Sequence, residues 1–149
     1  MYHSLVINKY KETPEKDAVY IGRGSVWGNP YPITPEQDRL TVCYKYVDHL
    51  LQSLRDRKIT FQMLRKLAKK QLVCFCMPQA CHGIVINIAV GYAMAFKEDE
   101  EELFYSELLD NETFAKLSCK ILEEVQQVYD SARQKKEAEK RVRKTSKKC

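Results

Sequence analysis

Leu72-Val73-Cys74-Phe75-Cys76-Met77-Pro78-Gln79-Ala80-Cys81-His82-Gly83 joins a compact apolar run, a turn containing proline and the opening of a second, longer apolar stretch. Leu72 to Cys76 has the length and composition of a buried strand, and Gly83 to Phe96 is long enough to be an apolar helix. A strand that feeds a helix through a short turn is the unit of an α/β domain, and the rest of the chain fits it.

Upstream, Ser4 to Ile7 and Ala18 to Ile21 are brief β-branched runs closed by polar residues or glycine, and both read as strands. A polar loop, Asn8 to Asp17, joins them. The second run leads into Gly22-Arg23-Gly24-Ser25-Val26-Trp27-Gly28-Asn29-Pro30, which holds three of the five glycines. Pro30, Pro32 and Pro35 prevent a helix from opening directly on that loop. A P-loop and a dinucleotide fingerprint are excluded, because both need a helix to start there.

The first helix is expected to begin at Thr34-Pro35-Glu36, with threonine as N-cap and proline at the first helical position. Leu40, Tyr44, Val47, Leu51 and Leu54 recur at three and four residues and mark its buried face. Thr60 caps a second helix carrying Phe61, Leu64 and Leu67. Glu98 to Glu102 is a linker or helix start, and Leu103 to Leu109 and Phe114 to Tyr129 are helical, the latter through Phe114, Leu117, Ile121, Leu122, Val125 and Val128. Beyond Ala132 the apolar face ends while good helix formers continue, so a long last helix should run out into solvent and fray. No internal repeat is visible. The reading is an α/β fold with a small, mostly parallel sheet flanked by helices: residues 1–96 as the α/β domain, 97–132 as a helical extension packed on it and 133–149 as a basic tail.

The 149 residues are 44% hydrophobic, ample for a core without staples. The formal charge of +5 is unevenly placed: nine Lys or Arg against Glu137 and Glu139 give residues 133–149 a charge of +7, leaving −2 on residues 1–132. Attraction to nucleic acid therefore belongs to the tail. Met1 to Lys9 lacks the pattern of a signal peptide, and Ile84 to Phe96 contains Asn87 and is too short to span a bilayer. A cytoplasmic protein with no membrane partner is expected, its six cysteines reduced or holding a metal.

In a parallel sheet, ligands sit at the carboxyl ends of the strands, so the glycine loop and the cysteine turn should face each other. Glycines on either side of Arg23 let the backbone approach a ligand closely, and the guanidinium can grip a phosphate or carboxylate. Ser25 and Asn29 would orient it. Trp27 would either stack on a ring or sit in the core. Cys81 and His82 stand just before a helix, where the dipole lowers a thiol's pKa, and they are the candidates for catalysis. Gly83 completes the ligand-binding set with Gly22, Arg23, Gly24, Ser25, Trp27 and Asn29. Cys74 reads as core. The Cys-x-Cys spacing is tighter than the usual zinc pair and no second pair follows, so no metal is assigned; a metal, if present, would take Cys74, Cys76, Cys81 and His82. His3, His49, Cys43, Cys119 and Cys149 are assigned no role.

Tyr20-Ile21-Gly22-Arg23-Gly24-Ser25, Gly28-Asn29-Pro30 and Leu72-Val73-Cys74-Phe75-Cys76-x-Pro78-x-x-Cys81-His82-Gly83 together resemble the family catalogued as domain of unknown function 4326, of bacteria and their phages. The resemblance covers roughly residues 4 to 95, a span consistent with one domain. It implies an α/β domain whose two motifs meet, a nucleotide-related or base-modifying role, and a bacterial or infected-host cytoplasm. Members often place an acidic residue directly after Cys-His-Gly, whereas here Ile84 stands there; if that carboxylate is catalytic in relatives, the resemblance implies a chain that binds without reacting. The functional expectation is thus a cavity for a small phosphorylated or nucleotide-like ligand, the cofactor unknown and catalysis undecided. Two other expectations compete with it. One is a phage-type interaction protein engaging nucleic acid or a host partner through its last helix and tail; the other is a small zinc-binding nucleic-acid module.

Overall fold

Apolar runs of two to four residues make short strands that only a common central partner can pair. In the computed structural model, which describes residues 4–147, β1 (Leu5–Asn8) and β2 (Val19–Tyr20) both lie parallel to β3 (Gln71–Cys74), giving the order β1-β3-β2. His3, Lys148 and Cys149 lie outside the described residues. All three strands run the same way, so Asn8, Tyr20 and Cys74 bring their following loops to one edge of the sheet.

Five helices complete the described residues: α1 (Arg39–Arg55), α2 (Phe61–Lys66), α3 (His82–Met94), α4 (Glu101–Leu109) and α5 (Thr113–Ser146). The fold is α/β, with a small parallel sheet and a long C-terminal helix. Helix α3 is its hub. It is apolar nearly all round, with Ile84, Val85, Ile86, Ala89, Val90 and Ala93 buried, and it contacts β1 and every other helix. A helix that is hydrophobic on all sides must be covered on all sides.

The first helix starts later than Thr34. Thr34 and Gln37 exchange backbone hydrogen bonds in a tight turn, and the Thr34 hydroxyl accepts from the Glu36 amide inside it. Asp38 is the actual N-cap, its carboxylate 2.8 Å from the Thr41 amide. A charged cap one turn further on outcompetes a threonine already spent on the turn. The buried stripe of α1 runs through Val42, Cys43, Tyr46, Val47, Leu50 and Leu54, with Leu40, Tyr44 and Leu51 at its margins. Thr60 caps α2 as expected, accepting from the Met63 amide at 3.2 Å.

Helix α5 packs on α1 and α3 through Phe114, Ser118 and Leu122. From Ser131 to Lys147 every residue is exposed, yet the chain stays helical to Ser146. No helix of the described residues is long and apolar enough to cross a membrane.

Candidate functional site

The loops after β2 and β3 meet over a cavity of about 310 Å³ at the carboxyl edge of the sheet. Gly22, Arg23 and Asn29 border it from the first loop, and Cys74, Phe75, Cys76, Ala80, Cys81 and His82 from the second. Tyr20, Tyr31, Ile33, Arg39, Val42 and Cys43 close the remaining sides. No Asp or Glu is among these residues, whereas two guanidinium groups are.

Three distant segments hold the cysteine turn in place. The Asn8 side-chain amide donates to the carbonyls of Phe75 at 3.2 Å and Met77 at 2.8 Å, while its oxygen accepts from the Tyr10 amide. From α5, the Gln126 side chain accepts from the Ala80 amide at 3.0 Å, and on α1 the Arg39 guanidinium reaches the Ala80 carbonyl at 3.5 Å. The His82 ring closes the link to the glycine loop: its Nε2 lies 2.7 Å from the Ile21 carbonyl oxygen. A carbonyl can only accept, so Nε2 carries the proton and Nδ1 holds the lone pair, 3.7 Å from the Cys81 sulfur. Burial pushes the His82 pKa down and keeps the ring neutral.

The sulfurs of Cys74, Cys76 and Cys81 lie within 4.8 Å of one another, and those of Cys74 and Cys81 are 3.1 Å apart. Three thiols this close share their protons unequally. Hydrogen bonds from Cys74 and then Cys81, aided by the Arg39 guanidinium, hold the Cys76 thiol well below its ordinary range. Cys81 moves the other way: its hydrogen bonds to Cys74 and Cys76, and then its burial, raise its pKa strongly. The lowering expected for Cys81 at the helix start is therefore overturned. Cys81 does cap α3, its sulfur accepting from the Gly83 amide at 3.3 Å, but this weak interaction is outweighed by burial beside two other sulfurs. Of the three thiols, Cys76, half-buried in the turn, is the one whose pKa is held down.

Other residues of the glycine loop take unexpected positions. Trp27 is 6% exposed and packs in the core, where its carbonyl accepts from the Tyr46 hydroxyl at 2.7 Å; it does not border the cavity. Ser25 turns its hydroxyl back onto the Gly22 carbonyl at 2.7 Å, and with Gly24, whose φ of 91° an L side chain rarely adopts, it faces a separate shallow depression. Asn29 borders the cavity, but its side chain braces the loop, donating to the Val42 carbonyl and accepting from the Tyr31 amide. Gly83 lies against the sheet, where an added Cβ would meet Ile21 Cδ1 at 2.8 Å and Val6 Cγ1 at 2.9 Å. Of the four residues named for a metal, the three cysteines converge while His82 stays beside Cys81 alone.

Arg39, Tyr20, Tyr31 and Phe75 were not among the sequence candidates. Arg39 lies outside both motifs and reaches the cavity only because α1 begins beside the cysteine turn. The aromatic wall is built partly by contacts at long range, Phe75 packing against Tyr10 and Tyr20 with ring centroids 5.0 and 6.2 Å away.

A family model described as a domain of unknown function (DUF4326) matches residues 6–91, more than half of the chain, and the chain belongs to that family. No curated protein and no solved structure matches it.

Proposed function

We propose that this member of the family binds a small phosphorylated or nucleotide-like ligand in the cavity between the glycine loop and the cysteine turn. The observation that carries the reading is the pairing of Arg23 and Arg39 on a cavity without a carboxylate, beside Tyr20, Tyr31 and Phe75. Guanidinium groups grip phosphate in a bidentate manner, and aromatic rings provide a face on which a base can lie. The volume is at the lower end of the range for small-molecule sites, which suits a compact metabolite or mononucleotide better than a dinucleotide. Cys76, half-buried in the turn where Cys74 and Cys81 are fully buried, is the thiol of the cluster that such a ligand reaches most readily.

A thermal-shift panel of nucleotides and sugar phosphates tests this. A ligand present at one hundred times its Kd should stabilise the fold by about 2.7 kcal/mol, and Arg39→Ala should abolish that gain. A panel without any stabilising compound would count against the reading.

The exposed basic helix from Arg133 to Ser146 favours a second role, electrostatic attachment to nucleic acid. Because the net positive charge belongs to residues 133–149, and every residue from Ser131 to Lys147 is exposed, truncation after Ala132 should keep the thermal midpoint and remove salt-dependent retention on DNA or RNA. Retention with the same salt slope after truncation would place the contact elsewhere.

A further inference from the structure

We propose that Cys74, Cys76 and Cys81 form a three-thiolate site for a borderline-soft divalent cation such as Zn²⁺, set in the wall of the cavity. A tetrahedral ion with sulfur bonds of about 2.3 Å separates its ligands by about 3.8 Å. The sulfurs of Cys74 and Cys81 stand 3.1 Å apart and all three lie within 4.8 Å of one another, a spread compatible with that value. Side-chain adjustments alone would bring them onto one ion.

The surroundings are those of a thiolate centre. The Cys81 sulfur accepts from the Gly83 amide at 3.3 Å. The Arg39 guanidinium borders the same cavity and reaches the Ala80 carbonyl at 3.5 Å. Metal-bound sulfur requires donors of this kind to orient it and spread its charge. Three thiolates on a divalent ion leave one negative charge, which Arg39 faces. Hard ions are disfavoured, since no carboxylate borders the cavity and the donors are sulfur. His82 stays outside the ligand set because its Nε2 is held by Ile21 and its Nδ1 approaches Cys81 alone.

The three cysteines border the cavity together, so the fourth position opens toward it. Water, or an oxygen or nitrogen of a bound ligand, would complete the coordination. The ion site stands independently of the ligand reading, since sulfur geometry alone defines it.

Titration of the reduced 149-residue chain with Co²⁺ tests the site. The expected result is one ion per chain, with the sulfur-to-metal charge-transfer absorption of a thiolate centre, displaced by Zn²⁺. Cys76→Ser should weaken uptake at least about tenfold, and Cys119→Ser, on α5 away from the cavity, should leave it unchanged. Should Cys74→Ser or Cys81→Ser unfold the core, Cys76→Ser in the half-buried turn still decides, together with the loss of wild-type thermal stability on adding a chelator. A folded, reduced chain that shows no charge-transfer band in excess Co²⁺, or a Cys76→Ser chain that binds as the wild type does, overturns the proposal.

Discussion

His82 Nε2 stands 2.7 Å from the carbonyl oxygen of Ile21, so the first turn of α3 is tied to the end of the strand that launches the glycine loop. This buried hydrogen bond ties the two halves of the cavity together, beside the bond of the Ile21 amide to the Val73 carbonyl. His82→Ala should cost about 1–3 kcal/mol through the Ile21 carbonyl left unpaired in the core. Urea denaturation would measure that loss, and a thermal-shift series would show a weaker ligand response although both arginines remain. A variant as stable as the wild type would mean that the loops are positioned by other contacts.

The unit from Leu72 to Gly83 was legible because composition changes sharply there, and so was Thr60 at the start of α2. What could not be read is whatever depends on residues far apart in sequence. Arg39 enters the cavity through the placement of α1, and Asn8 and Gln126 pin the cysteine turn from opposite ends of the chain. Trp27 illustrates a different limit: an aromatic residue in a glycine loop carries the same local pattern whether it stacks on a ligand or fills the core. Cys81 shows how a local rule loses to context, since the helix-start effect is real but small beside burial among sulfurs.

Gly83→Ala tests the seating of α3 on the sheet. The new methyl group would press on Ile21 and Val6, both held in place by the packed sheet, and overpacking of this kind costs about 1–3 kcal/mol. The higher helix propensity of alanine offsets only part of that. We expect net destabilisation in denaturant unfolding; a neutral or stabilising result would show that the helix can shift outward freely.

Alkaline pH should destabilise the fold through Cys43. Burial pushes its thiol from 9.0 up to about 12. A raised pKa means that the folded state holds the proton longer than the unfolded state. The contribution is therefore complete below pH 9.0 and is lost as pH climbs from there toward about 12. The buried Tyr46, shifted in the same direction by its burial, extends the effect at still higher pH. Each such group steepens the decline by at most about 1.4 kcal/mol per pH unit. Comparing Cys43→Ala with the wild type between pH 8 and pH 11, as round experimental limits of about that span, should show a shallower alkaline slope in the variant. Parallel slopes would contradict the assignment.

The cavity's proposed role is tested most directly by calorimetric titration of the wild type and of Arg39→Ala with a mononucleotide, its uncharged nucleoside and inorganic phosphate. The account predicts that the phosphorylated compound binds the wild type, that the nucleoside binds more weakly, and that Arg39→Ala loses about 1.5–3 kcal/mol of affinity for the phosphorylated compound alone. Equal affinities for nucleotide and nucleoside, or an Arg39→Ala chain that binds the nucleotide as tightly as the wild type, would contradict it.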